Sequence, residues 1–183
     1  MFKKLKWNSD KILSLSAMSI SFLTLIIFIY QTNLMSKQNY LSILPYLAIS
    51  TSNNSANNTY SLSLENHGVG PAIIEQVTLH YQEKQYKLED YNNEFYAFMA
   101  SKNPALDSIS HVSFSTIDKG MAIPVGEAYN IVTVNDSKDE YEIFKASLQK
   151  LLSEGLRFEI VYRSIQNERW VISNETQGPE KLD

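Results

Sequence analysis

His67, His80 and His111 are the side chains of this chain best suited to ligate a metal or move a proton near neutral pH. No two of them stand at a metal-ligand spacing, and the carboxylates near them read as surface residues. His67 falls inside a turn and reads as a solvated ring. A second candidate is the acidic group Asp136, Asp139, Glu140 and Glu142. Such a group could do acid–base work or hold calcium. It stands at the start of a helical pattern, where carboxylates favour the positive end of the helix dipole, and that reading is preferred. The chain has no cysteine, which excludes disulfides, thiolate metal sites and cysteine nucleophiles. Serines are numerous, but no Gly-x-Ser-x-Gly phrase presents one as a nucleophile. No catalytic residue, metal ligand or cofactor is assigned, and the chain is not expected to be an enzyme.

Two other clusters stand out. Asn66-His67-Gly68-Val69-Gly70-Pro71 reads as a structural turn built on Asn66, Gly68, Gly70 and Pro71. The Asn66 side chain can bond the backbone that follows it. The two glycines permit positive φ, and Pro71 sets the exit into the next strand. The phrase resembles a phosphate-cradling glycine loop only in spelling, because no Lys-Ser/Thr ending and no helix follow it. The other cluster is aromatic. Tyr91, Phe95, Tyr96 and Phe98 crowd one segment with Met99 beside them. Exposed, they would form a protein-binding surface rich in aromatic anchors. Buried, they would cap an open end of the core.

The elements that must position these residues are mostly short strands. Leu41–Ser50 reads as a first strand with Pro45 at an edge, and 51–58 as a polar loop. Thr59–Glu65 alternates, with Tyr60, Leu62 and Leu64 on one face. Ala72–Tyr81 is a longer strand, with Lys84–Leu88 as its partner across a tight turn. Residues 89–102 are read as a short helix. In Ile109–Ile117 the inward face is Val112 and Phe114. Ala128–Val134 is another strand. Ser137 and Glu140 then spell a capping box. The helix behind it turns Tyr141, Phe144, Leu148, Leu151 and Leu152 to one side and ends at Gly155. Leu156–Ile165 and Arg169–Ser173 form a final hairpin. The expected fold is mainly β: an antiparallel sandwich over 41–173 with one or two helical insertions, then a polar tail over 174–183.

Ahead of this domain lies Ile12–Tyr30, ILSLSAMSISFLTLIIFIY, with no charged side chain between Lys11 and Lys37. Its length matches a bilayer's hydrocarbon layer, and Trp7 and Tyr30 flank it as interfacial aromatics do. A transmembrane helix is expected over 12–34 and a stalk over 35–40. A cleaved signal peptide fits less well, because the apolar core is too long and QTNLMSKQ offers no small-x-small site. Ser14, Ala17, Ser21 and Thr24 form a small stripe that suits either helix pairing or bonds back to the helix's own carbonyls. Lys3, Lys4, Lys6 and Lys11 make residues 1–11 basic, and the remainder holds 12 basic against 19 acidic residues. The basic end is expected in the cytoplasm, so the helix spans the inner membrane once and the domain lies outside it. An acidic domain repels phosphate backbones, so nucleic acid is not an expected partner.

Leu44-Pro45-Tyr46-Leu47, the stretch Leu62–Ala72, Ile123-Pro124-Val125-Gly126-Glu127 and the Tyr162–Trp170 hairpin together resemble a pattern in uncharacterised bacterial proteins. Those proteins look like a single-pass anchor followed by an immunoglobulin-like β-sandwich. The resemblance implies a bacterial source and that sandwich, and it implies no activity. The function expected is therefore an extracytoplasmic binding or scaffolding protein held in the lipid bilayer. Its partner would be another envelope protein or a second copy, met through edge strands and the segment 89–102. The alternatives are an envelope enzyme with a non-local site around His67, His111 and Asp118, and a regulatory module facing the cytoplasm.

Overall fold

The computed structural model describes residues 8–182. The chain divides into two units, residues 1–42 and 43–183.

The first unit is one helix, α1 (Ser9–Leu41), of 33 residues. No described side chain along it is buried, and its most apolar 18-residue window has a mean hydropathy of 2.4. At 1.5 Å per residue it rises about 50 Å, so it is long and apolar enough to cross a membrane. The expected stalk over 35–40 is helical and continuous with the span. Ser14 and Thr24 donate back to the carbonyls of Asp10 and Ile20, which satisfies two hydroxyls of the small stripe within the helix itself. Lys3, Lys4, Lys6 and Trp7, on which the expected orientation and one interfacial anchor rest, lie outside the described residues.

The second unit is mainly β. Its strands are β1 (Leu47–Asn54), β2 (Thr59–Asn66), β3 (Ala72–Tyr81), β4 (Lys84–Lys87), β5 (Val112–Phe114), β6 (Ala122–Ile123), β7 (Ala128–Val134), β8 (Arg157–Arg163), β9 (Arg169–Ser173) and β10 (Glu180–Leu182). Two helices interrupt them, α2 (Phe95–Lys102) and α3 (Lys138–Ser153). One sheet runs β1-β2-β7-β5 and the other β10-β9-β8-β3-β4, with β6 beside the start of β3. Every pairing is antiparallel. Both sheets send side chains into one core: Leu62, Leu64 and Val132 from the first; Ile74, Leu79, Ile160 and Tyr162 from the second; Phe98 of α2 and Phe144 of α3 between them. Strand β8 shows why the sequence folds this way. Phe158, Ile160 and Tyr162 are buried while Arg157, Glu159, Val161 and Arg163 are half-buried, the period-2 signature of a strand with one face on the core. Tyr162 also joins the two sheets, because its hydroxyl accepts from the Leu47 amide at 3.3 Å. Burial pushes that phenol up to about 12.

Several expectations are corrected. The first strand begins at Leu47, since helix α1 runs to Leu41, and it continues through Thr51–Asn54. Residues 51–54 look like loop because their side chains are polar. Their backbones pair with Thr59–Leu62 of β2, and a ladder does not require apolar side chains. The polar tail holds a strand as well: Glu180–Leu182 pairs with Arg169–Val171. Of the expected strand 109–117 only Val112–Phe114 is strand, and Phe114 is 43% exposed, stacked on Tyr96 at the surface. Leu152, placed on the buried face of α3, is 41% exposed.

A groove on the edge of β1 and two other candidate sites

The structural turn is a hub. Asn66 is 1% exposed and makes four side-chain bonds. Its Oδ1 accepts from the amides of Tyr46 at 3.2 Å and Gly68 at 3.0 Å. Its Nδ2 donates to the carbonyls of Gly70 at 2.9 Å and Ile123 at 3.0 Å. One amide group thus ties the entry to β1, the β2–β3 turn and β6. The glycines serve a purpose other than the expected positive φ, which neither adopts. A Cβ at Gly68 would stand 2.4 Å from Leu44 O, and one at Gly70 2.0 Å from Ile43 O. The segment 43–46 lies directly against them, and only glycine admits it.

That packing delivers β1 to the end of its sheet, where its outer edge has no strand partner among the described residues. Tyr46 O accepts from His67 N, so alternation aims the outer amides and carbonyls of Ile49, Thr51 and Asn53 away from β2. Beside this edge runs a groove of about 340 Å³. Apolar Leu47, Ala48, Ile49, Leu152 and Ile172 line it together with Thr51, Ser173, Asn174, Thr176, Gln177 and Gly178. An apolar lining beside free backbone donors and acceptors suits an extended polypeptide.

A second cleft, of about 380 Å³, is polar. His80, Gln82, Glu83, Glu154, Gly155, Arg157 and Glu175 line it. Arg157 reaches Glu159 at 3.2 Å and Glu175 at 3.5 Å, and His80 Nε2 stands 3.7 Å from Glu159. The Tyr81 hydroxyl donates to Glu154, and that bond together with burial pushes the phenol up to about 12. Glu154 and Glu175 are thus held by neighbours, and none of the lining side chains is a serine, threonine, cysteine or lysine.

The residues expected for a non-local active site each bond a partner of their own. His67 pairs with Glu65 at 3.3 Å and His111 with Glu140 at 3.2 Å, while Asp118 accepts from Asn93 and Thr116, each at 2.7 Å. Glu140 also departs from the capping box. Ser137 accepts from the Glu140 amide, but the Glu140 carboxylate accepts from His111 N at 2.8 Å. That bond holds the carboxyl below its usual range. Among the described residues no group of three or more His, Cys, Asp or Glu side chains is placed to hold a metal ion.

The aromatic segment is largely core. Phe95, Phe98 and Met99 are at most 1% exposed and Tyr96 is 8% exposed, so these four do not present a docking surface. Phe95 packs in the core against Phe158 of β8, with ring centroids 4.9 Å apart, and the Tyr96 hydroxyl donates to the Leu106 carbonyl. Tyr91 is half-buried and opens onto a different arrangement. Tyr86, Tyr91 and Phe98 stand around the Lys102 ammonium, with centroids 4.1, 5.7 and 5.3 Å from its Nζ. Sequence reasoning singled out Tyr91 and Phe98 and missed Tyr86 and Lys102. The four-residue spacing from Phe98 to Lys102, which puts both on one helix face, was the available signal.

No family model matches this chain, and neither does any curated protein.

Proposed function

We propose that this chain is a membrane-anchored binding protein of the bacterial envelope, and that it takes up an extended segment of another envelope protein along β1. The groove carries the proposal. An eight-residue edge strand lies beside an apolar lining, with its outward backbone groups free of any ladder. Strand addition to such an edge gains main-chain hydrogen bonds, and alternate side chains of the guest fill the groove. The basic residues before α1 favour the cytoplasm for the N-terminus and the outer side of the inner membrane for the domain. We also infer an immunoglobulin-like arrangement. In its support, the order β1-β2-β7-β5 against β9-β8-β3-β4 matches the A-B-E-D and G-F-C-C′ strands of that sandwich. Helix α2 then falls in the connection before β5, and α3 in the connection between β7 and β8.

The test places a photo-crosslinking side chain at Gln177, exposed in the lining of the groove, in cells carrying the full chain. The expected result is one discrete crosslinked partner that disappears with Thr51→Pro. Proline at that site removes the outward amide together with the Thr51 hydroxyl that bonds Tyr60, so Thr51→Val, which removes the hydroxyl alone and should keep the crosslink, is the control. An unchanged crosslink in the Thr51→Pro chain overturns strand addition, and a product of twice the chain's own mass replaces the second protein with a second copy. Asn54→Cys, the chain's single thiol, reports sidedness. Labelling of intact spheroplasts by an impermeant maleimide supports an extracytoplasmic domain, and labelling only after lysis refutes it.

A further inference from the structure

Lys102 is the last residue of α2, and its ammonium sits among three aromatic rings. Tyr86 comes from β4, Tyr91 from a short 3₁₀ turn over Leu88–Tyr91, and Phe98 from α2 itself. The rings are mutually inclined. Tyr91 and Phe98 meet at 90° with centroids 5.0 Å apart, Tyr86 and Phe98 at 58° and 5.5 Å, and Tyr86 and Tyr91 at 67° and 6.3 Å. Three rings set at steep angles make a box whose inner surfaces are π faces. Each face carries negative quadrupole density, and such boxes recognise alkylammonium groups. Phe98 is fully buried and forms the floor, while Tyr86 and Tyr91 are half-buried walls. Lys102 fills the box from the side. Its Nζ is 3.3 Å from the Tyr91 hydroxyl, and it has no carboxylate partner among the described ion pairs.

We propose that Tyr86, Tyr91 and Phe98 form a binding cage for a quaternary alkylammonium group, with Lys102 as its resident plug. A primary ammonium is strongly hydrated and gives up water to sit over rings, whereas a quaternary ammonium holds its water weakly and gives up less. Lys102 is tethered by a flexible four-carbon stem at a helix terminus, so it can leave without unfolding α2. The incoming ligand therefore exchanges one cation for another in the same box. The ligand chemistry is a trimethylammonium head, carried either by a free choline-like solute or by a choline lipid headgroup. This site shares no residue with the β1 groove and does not depend on it.

The test titrates choline, and separately its neutral isostere 3,3-dimethylbutanol, into the full chain held in a maltoside detergent. Ring-proton shifts of the tyrosines are the readout. Wild type is expected to bind choline weakly. Lys102→Ala is expected to bind it at least tenfold more tightly, and to prefer it at least tenfold over the neutral isostere. Adding Tyr86→Leu is expected to abolish the gain. Lys102→Gln, which shortens the stem and loses the charge, serves if the alanine variant does not fold. Either plugless variant binding choline no better than wild type overturns the proposal, and so does equal binding of the isostere. Bilayer discs separate the two sources. Loss of soluble-choline binding in phosphatidylcholine but not in phosphatidylglycerol identifies the lipid headgroup, and equal binding in both identifies a free ligand. Both of these outcomes support the cage.

Discussion

Replacing Asn66 with alanine removes one side-chain amide and orphans four backbone groups. Two are carbonyls, of Gly70 and Ile123, whose bonds to Nδ2 are buried. The other two are the amides of Tyr46 and Gly68, whose bonds to Oδ1 are part-buried and within reach of water after a small shift. A buried group left without its partner costs about 1–3 kcal/mol, and one that recovers water costs nearer the low end. The sum is about 4–8 kcal/mol, a large share of the roughly 5–15 kcal/mol that holds a domain together. For a domain of this size that is a fall in Tm of about 14–27 °C. The assay is urea unfolding of the full chain followed by Trp170, which is buried against Tyr162, in a Trp7→Phe background. Asn66→Asp is the sharper companion. It keeps both acceptor bonds but turns an anionic oxygen towards two carbonyls, so the fold favours the protonated acid and raises its pKa. Its loss is therefore greatest at neutral pH and shrinks as pH falls towards about 4, near the free carboxyl value. An Asn66→Ala loss under 1 kcal/mol, or an Asn66→Asp loss independent of pH, would refute the reasoning.

Two further predictions concern titration. Glu140 is held below its ordinary value of 4.5, first by the His111 amide, so its contribution is present above that value and is lost as pH falls through the lower folded value. The stability difference between wild type and Glu140→Gln should be present at about pH 5 and shrink below pH 4.5, as followed by Tm. Tyr81, Tyr96 and Tyr162 are pushed up to about 12, Tyr81 by Glu154 and the others by burial. In a spectrophotometric titration these three should stay protonated at about pH 11 while exposed phenols ionise near 10, and urea should release them. Stability should correspondingly decline from pH 10 upwards, because the unfolded phenols ionise first.

What could be read from the sequence divides along physical lines. Strands β3 and β7 and helix α3 are visible because their apolar period matches their geometry over seven residues or more. Half of β1 and all of β10 are not, since polar residues there gain their order from the backbone ladder to the preceding or following strand and carry no apolar alternation of their own. The turn at Asn66 was legible as a turn, but not the reason for its glycines. A close approach by residues 43–46 leaves no local trace, whereas positive φ is the ordinary expectation for glycine. The aromatic segment announced itself, yet composition could not say that Phe95 and Tyr96 face the core while Tyr91 helps enclose a cation. The groove was the least legible of all, because its lining comes from residues near 50, 152 and 175 and nothing in any one of them marks a site.

The lengths of the outermost strands bear on crowding. β5 and β10 have three residues each, and β4 has four with a lysine at either end. Edges so short or so charged offer a neighbouring sheet too few bonds to hold it. A helix such as α1, once inserted, confines its copies to a plane, where collisions between identical domains become far more frequent than in solution. Under that confinement, four long sticky edges would polymerise. With three of the four blunted, the eight residues of β1 are the longest open margin among the described residues, and copies confined to a plane would meet repeatedly without fusing into a filament.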